Sequence, residues 1–322
     1  MRFLARLFSP AYILMNKLDI RHDAMDVRLI KIDDRLIKLQ KKIESQDFWA
    51  NKKHRLRSLE IHIIHRCNLR CLHCSHFCDL KYDEEINFDL TINWLKLWAT
   101  RLEPKRFRIL GGEPLMESRL LEYIKEVANI FPKSRRDVVT NGLLLHRWEA
   151  SLPEVLKETD TVLHISEHPM PPRLKPIFIR NLEMAKQWAV KYGFRLTSSL
   201  HTGQEKWTQV YRGSGSDIRP HISDRPEESR FYCTRKNCVN LRRGRLWPCP
   251  VLAYLPLVAD KLTFREEWEP YINYQPLDFA VSDEELNAFL KGMHRHSADA
   301  CGMCPSRATF ITPKALPAAG QV

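Results

Sequence analysis

The chain has 322 residues, 44% of them hydrophobic, which suits one large domain or two modest ones. No apolar run reaches about 18 residues, so the sequence predicts no transmembrane helix. The net charge of +12 would suit an acidic partner, but no nucleic-acid-binding motif accompanies it, and nucleic acid is disfavoured. Nine clustered cysteines without a signal-peptide pattern predict a reducing, cytoplasmic setting and metal or redox chemistry.

Residues 1–50 predict an amphipathic helical region. Its apolar positions follow a heptad spacing: Met25, Leu29, Ile32, Leu36, Leu39 and Ile43. This spacing favours a short coiled coil for self-association or partner docking, with a helix packed on its own domain as the alternative. Residues 1–20 interleave aromatic and basic side chains, so peripheral contact with a membrane surface is a further candidate.

Residues 51–202 predict an α/β core, with an extension to about residue 230 left open. Strand patterns occur at 59–64, 106–110, 137–140, 161–166 and 194–199, and helix patterns at 88–102, 117–131, 151–158 and 176–192. This alternation favours a parallel sheet, open or curled into a partial barrel. The chemistry of such sheets lies at the carboxyl ends of the strands.

A first group of thiols follows the first predicted strand. Cys67, Cys71 and Cys74 have the spacing C-x3-C-x2-C, and Cys78 follows. Three cysteines alone do not complete a tetrahedral zinc site, whereas they suit an iron–sulfur cluster with one iron left open. Zinc completed by a nearby histidine remains the alternative. Cys78 is interpreted as a small buried residue rather than a ligand.

The region 203–322 contains a second group of thiols. Its five cysteines are Cys233, Cys238, Cys249, Cys301 and Cys304. Gly244 lies between two short strand-like runs and predicts a hairpin that leads to Cys249. The spacing alone leaves a structural zinc site and an iron–sulfur cluster equally open.

Three motifs in this order resemble the radical S-adenosylmethionine (radical SAM) enzymes. They are CNLRCLHC at residues 67–74 after the first strand, GGEP at residues 111–114 after the second and TNG at residues 140–142 after the third. The resemblance covers residues 56–202 and implies a partial (β/α)6, TIM-like barrel. His73 departs from the family, which usually has an aromatic residue at that position.

The resemblance implies the cofactors and the residues that bind them. Cys67, Cys71 and Cys74 would hold a 4Fe–4S cluster, and its open iron would chelate S-adenosylmethionine. The backbone of Gly111, Gly112, Glu113 and Pro114 would bind the methionine amino group, with glycine allowing close approach. The remaining groups of S-adenosylmethionine would be bound by candidates at strand ends, namely Asn141, Ser166 and Ser198.

The second thiol group resembles the SPASM or twitch extensions of this superfamily, which carry auxiliary clusters. The spacing C-x10-G-x4-C from Cys233 through Gly244 to Cys249 matches the SPASM opening. The implied second 4Fe–4S cluster has a preferred ligand set and one alternative ligand: Cys233, Cys249, Cys301 and Cys304, with Cys238 as the alternative. A fully ligated cluster suits electron transfer and favours a net oxidation.

The implied reaction begins with reductive cleavage of S-adenosylmethionine to a 5′-deoxyadenosyl radical, with flavodoxin or ferredoxin as electron donor. That radical would abstract hydrogen for oxidation or epimerisation of a sugar, aminocyclitol or nucleotide-sugar. The alternatives are a peptide-modifying radical SAM enzyme and a zinc- or iron–sulfur-binding interaction protein without radical chemistry. Glu167, His168 and His201 are the candidate bases for the hydroxyl proton of an alcohol.

Overall fold

A computed structural model describes residues 53–82, 84–200, 207–292, 299–307, 310–311 and 315–316. The chain divides into a unit that ends at Lys53 and a unit that begins at His54, and the second unit contains all the elements described below. The predicted helical region 1–50 and His201 lie outside the described residues. Within the described ranges, no helix is long and apolar enough to cross a membrane.

The second unit is built on a mixed α/β architecture with a mainly parallel sheet, as the sequence predicts. Its strands are β1 (His54–His62), β2 (Arg70–Cys71), β3 (Leu102–Leu110), β4 (Arg135–Thr140), β5 (Thr161–Ser166), β6 (Leu196–Ser199), β7 (Trp207–Thr208), β8 (Val239–Arg242), β9 (Arg245–Trp247), β10 (Phe310–Ile311) and β11 (Ala315–Leu316). The main sheet has the order β6-β5-β4-β3-β1-β8-β9, and the pairs β10–β7 and β11–β2 are separate. Every pair in the main sheet is parallel except β8–β9.

Among the described residues, four α-helices connect the successive parallel strands, and four more follow β6. They are α1 (Phe88–Ala99), α2 (Leu120–Ile130), α3 (Leu152–Glu158), α4 (Lys175–Tyr192), α5 (Pro226–Tyr232), α6 (Pro250–Tyr254), α7 (Arg265–Ile272) and α8 (Asp283–Leu290). Asn87 caps α1 by accepting a hydrogen bond from Leu90 N, and α4 ends at Gly193, which has a φ of 74°. These signals explain why the helix bounds lie close to the predicted ones.

The main sheet has one apolar and one polar face. The mainly apolar face includes seven fully buried side chains: Leu59, Ile61, Phe107, Ile109, Val138, Leu163 and Ile165. On the opposite face, Glu60, Arg108 and Asp137 lie side by side in one register row. His164 lies two residues beyond that row on β5. Because successive side chains along a strand point to opposite faces, residues at each strand end lie on both faces of the sheet.

The predicted hairpin around Gly244 is confirmed. Strands β8 and β9 are joined by Arg243 and Gly244, with φ values of 47° and 71°, as a two-residue turn requires. Trp98 Nε1 donates to the Gly244 carbonyl at 2.9 Å, and a Cβ on Gly244 would lie 2.5 Å from the Trp94 ring. The hairpin therefore packs tightly against α1 while β8 pairs with β1.

Candidate functional site

The Cys loop, residues 64–78, is hydrogen bonded to the segment that follows β3. Gly112 N donates to Ile64 O at 2.8 Å, and Glu113 N donates to Arg66 O at 2.9 Å. A Cβ on Gly112 would lie 2.2 Å from the Arg66 carbonyl oxygen, and one on Gly111 would lie 2.7 Å from that of Ile64. The two glycines therefore let two backbone segments approach each other. Their contact with the methionine group remains a prediction.

Glu113 joins the ends of β3 and β4. Its carboxylate is 1% exposed and accepts hydrogen bonds from Leu115 N at 3.1 Å, Thr140 Oγ1 at 2.5 Å and Asn141 N at 2.9 Å. Burial raises the pKa of Glu113 to about 7, although these hydrogen bonds oppose the shift. The side chain thus holds the second and third motifs together.

Asn141 connects this network to the Cys loop. Its Nδ2 donates to Asn68 Oδ1 at 2.7 Å, and its Oδ1 accepts from Leu143 N at 3.0 Å. Asn68 directly follows Cys67 in the sequence. The three motifs that are far apart in the chain are therefore linked by buried hydrogen bonds at the carboxyl ends of β1, β3 and β4.

The three thiols of the first motif are neighbours. Burial raises the pKa of Cys71, and the nearby Cys74 and Cys67 raise it further. The Cys67 sulfur accepts a hydrogen bond from Leu69 N at 3.4 Å. Among the described residues, no three side chains of His, Cys, Asp or Glu are arranged to hold a single metal ion.

The chemistry of this donor set nevertheless fits a 4Fe–4S cluster. Three neighbouring thiols supply three iron ligands, and metal binding would deprotonate them. Two buried nitrogen atoms in the same loop, Asn68 Nδ2 and His73 Nδ1, have no hydrogen-bond partner among the described residues. Cys78 is 7% exposed, and its sulfur lies 3.8 Å from the His76 carbonyl oxygen and 3.9 Å from the Tyr82 hydroxyl.

The structure separates the other predicted candidates. Ser166 pairs with Ser199 on the polar face, whereas Ser198 pairs with Ile165 on the opposite face. The two predicted serines thus point to opposite sides of the sheet. Glu167 forms an ion pair with Lys175, and His168 Nδ1 lies 3.7 Å from the Cys71 sulfur.

His164 is a candidate that the sequence analysis missed. Its Nδ1 lies 2.9 Å from Thr197 Oγ1, and its Nε2 lies 3.2 Å from Ser199 Oγ. Burial, Arg106 and other nearby arginines lower the pKa of His164, although Asp137 opposes them, so its imidazole is neutral at neutral pH. The alternation of polar residues at 164 and 166 in β5 is the signal that could have revealed it.

The second thiol group divides into a cluster of four and a separate cysteine. Burial raises the pKa of Cys304, and the nearby Cys249, Cys233 and Cys301 raise it further, so the four sulfurs are neighbours. Three of them line one cavity, together with Val210, Tyr232 and Val251. Cys238 instead lies just before β8, where burial and the nearby Glu60 carboxylate raise the pKa of its thiol.

A short segment connects the two thiol groups. Val210 lines the cavity of the second group, and the fully buried ring of Tyr211 lies 4.7 Å from the His73 ring in the Cys loop. On the far side, His221 N donates to Met303 O at 2.9 Å, between Cys301 and Cys304. The segment that contains Val210 and Tyr211 therefore contacts the surroundings of both thiol groups.

Comparisons with known proteins show similarity over part of the chain, and no protein-family model matches it. A GTP 3′,8-cyclase of Staphylococcus haemolyticus is 34% identical over 99 residues, which is 29% of this chain and 29% of that protein. The GTP 3′,8-cyclase of Alkaliphilus oremlandii is 31% identical over 103 residues, 31% of this chain and 32% of that protein. The chain thus matches less than a third of the length of these curated relatives.

A solved structure of BtrN in complex with AdoMet and 2-DOIA is 16% identical, with 79% of this chain and 94% of that chain covered. The TM-score of this match is 0.45. This chain is therefore similar to the GTP 3′,8-cyclases over about a third of its length, and the structure links the three motifs that resemble those of radical SAM enzymes.

Proposed function

We propose that the protein is a radical SAM oxidoreductase that dehydrogenates a secondary alcohol of a sugar, aminocyclitol or nucleotide-sugar. The observation that carries this proposal is the division of the cysteines into two groups. Three thiols lie in a loop linked to the GGEP and TNG motifs, and four others lie near one another, three of them lining a separate cavity. One group has an open position for a cofactor, and the other has four thiols for a fully ligated cluster.

The first group would hold the cluster that binds S-adenosylmethionine. Cys67, Cys71 and Cys74 would be its ligands, and the bound cluster would supply the electron for radical chemistry on S-adenosylmethionine. The chain contributes a buried hydrogen-bond network through Asn141 and Glu113 that fixes the loop. Such a network preorganises the loop so that the cofactor binds in one orientation.

The second group favours oxidation over epimerisation. An alcohol that has lost a hydrogen atom from carbon becomes a ketone by losing one electron and the hydroxyl proton. Epimerisation returns a hydrogen atom instead and requires no electron acceptor. Cys233, Cys249, Cys301 and Cys304 would hold a second 4Fe–4S cluster, which serves as the one-electron acceptor.

The hydroxyl proton requires a base, and His164 is better placed than Glu167. The His164 ring is half-buried on the polar face, held by Thr197 and adjacent to the exposed Ser199 hydroxyl. It is neutral at neutral pH and therefore able to accept a proton. Glu167 is already ion-paired with Lys175.

The proposal is tested by anaerobic reconstitution with iron and sulfide, followed by S-adenosylmethionine and dithionite. The probes are myo-inositol, 2-deoxystreptamine and UDP-glucose, with 5′-deoxyadenosine and oxidised product measured together. We expect one probe to give a ketone in a ratio near one to 5′-deoxyadenosine. A product with an inverted carbon centre and no ketone would show epimerisation instead of dehydrogenation. Absence of 5′-deoxyadenosine from protein with an intact cluster would overturn the proposal.

A further inference from the structure

The orientation of the Asn68 amide follows from its neighbours. Leu143 N is a donor and faces one end of the Asn141 amide, so that end is the oxygen. The other end of Asn141 is then the NH2 group, and it faces Asn68 at 2.7 Å. The Asn68 atom that accepts this hydrogen bond must be Oδ1, and the remaining end of Asn68 is its NH2 group. The Leu143 backbone N–H, which can only donate, therefore fixes which end of each amide is oxygen and which is nitrogen.

The NH2 group of Asn68 is buried without a partner. Asn68 is 3% exposed, and its Nδ2 has no hydrogen-bond acceptor among the described residues. A buried amide left in this state is destabilising, so native proteins rarely keep one without a reason. The same amide lies next to the Cys67 sulfur, since Asn68 Oδ1 is 3.9 Å from Cys67 Sγ.

We propose that Asn68 Nδ2 donates a hydrogen bond to a sulfur of the 4Fe–4S cluster held by the Cys loop and thereby raises its reduction potential. The inference rests on the proposed function, because it requires that cluster. Reduction adds negative charge to the cluster, and a fixed N–H donor stabilises the more negative state. Asn141 and Glu113 act as positioning residues, because they hold the Asn68 amide with its donor end turned away from them.

The first test compares reduction potentials without S-adenosylmethionine. The full chain is reconstituted, and the cluster whose EPR signal responds to added S-adenosylmethionine is followed in a redox titration. Asn68→Ala removes the donor without adding charge, and Asn68→Asp keeps the acceptor for Asn141 but replaces the donor by an anionic oxygen. We expect Asn68→Asp to change the ratio of reduced to oxidised cluster about tenfold, a potential about 59 mV lower for one electron. Asn68→Ala should shift the potential in the same direction by less.

A matched control is available at the start of α1. Asn87→Asp makes the same substitution at a helix cap, where aspartate also accepts the hydrogen bond from Leu90 N. It should leave the potential unchanged. An unchanged potential in Asn68→Ala with full iron content would overturn the inference while leaving the proposed function intact. Wild-type protein that binds no iron–sulfur cluster would instead overturn the proposed function.

A second measurement does not depend on assembly of the variants. Wild-type protein labelled with ¹⁵N in the asparagine side chains is reduced, and nitrogen hyperfine coupling to the cluster is recorded by pulsed EPR. We expect one coupled amide nitrogen before S-adenosylmethionine is added. No coupling, or coupling that appears only after S-adenosylmethionine is added, would overturn a direct hydrogen bond to the cluster.

Discussion

The two thiol groups are held in different ways. The Cys loop is fixed by hydrogen bonds from GGEP and Asn141, and it keeps buried polar atoms without partners among the described residues. In the second group, Cys249 and Cys304 pack against an apolar core that includes Val251, Tyr274 and Met303. Three thiols in a polar loop would leave one iron of a cluster free to bind a polar cofactor. Four thiols beside an apolar core would suit a fully ligated cluster that transfers electrons. The difference matches the two roles we propose.

The largest expected effect comes from breaking the first group alone. In Cys71→Ala, cleavage of S-adenosylmethionine should be abolished, because the cluster loses one of its three protein ligands. The measurement is 5′-deoxyadenosine formation with dithionite. Undiminished 5′-deoxyadenosine in this variant would remove the Cys loop from the chemistry.

Breaking the second group should uncouple the reaction instead. The double variant Cys249→Ala/Cys304→Ala should still form 5′-deoxyadenosine but give almost no ketone, since the electron acceptor is missing. Cys238→Ala is the comparison, because Cys238 contacts Glu60 rather than the four other thiols. We expect Cys238→Ala to keep its ketone yield, and a loss equal to that of the double variant would return Cys238 to the ligand set.

The next effect concerns the proton. His164→Gln should lower the rate of ketone formation about 10²-fold while 5′-deoxyadenosine formation continues. The pKa of His164 is lowered, so its basic form persists below the usual histidine range. Wild-type ketone formation should therefore fall only as the pH drops below that lowered pKa, and the variant should lack this dependence.

A matched histidine tests whether this effect is specific. His54 is the first residue of β1, and its Nε2 lies 3.2 Å from the Asp283 carboxylate, so His54→Gln serves as the control. It should keep the wild-type pH profile. If His164→Gln also kept the wild-type profile, His164 would not be the proton acceptor.

The smallest effect concerns the hairpin that leads to Cys249. Gly244→Ala places a methyl group against the Trp94 ring at a φ of 71°, so we expect destabilisation on the order of 1–3 kcal/mol. The measurement is urea unfolding of the apoprotein. Gly215→Ala is a useful comparison, because its φ is 59° but no atom lies within 4 Å of the added Cβ. Equal losses would show that backbone conformation alone, rather than packing on α1, accounts for the cost.

Much of the sheet could be predicted because its strands have simple patterns. Strand β5 was predicted at 161–166 and is found there, since its residues are mostly buried and β-branched or apolar. Strand β3 begins at Leu102 rather than at residue 106, and its first half contains Pro104, a residue that is depleted in strands. The Pro104 carbonyl accepts a hydrogen bond from Ser134 Oγ, so the proline lies where β4 does not pair with it.

Features that depend on long-range register were not predictable. The pairing of β8 with β1 brings Cys238 to Glu60, and these residues are distant in the sequence. The link between Asn68 and Asn141 likewise requires the packed ends of two strands. Motif order indicated which strand ends carry the site, but a single sequence contains no information about which side chains meet there.

The most direct test of the account is the iron content of anaerobically reconstituted protein. Wild-type protein should contain about eight iron atoms per chain, four for each cluster. Replacing Cys67, Cys71 and Cys74 by alanine should leave about four, and replacing Cys233, Cys249, Cys301 and Cys304 should also leave about four. Zinc without iron in the wild type, or loss of all iron from either variant, would contradict two independent clusters.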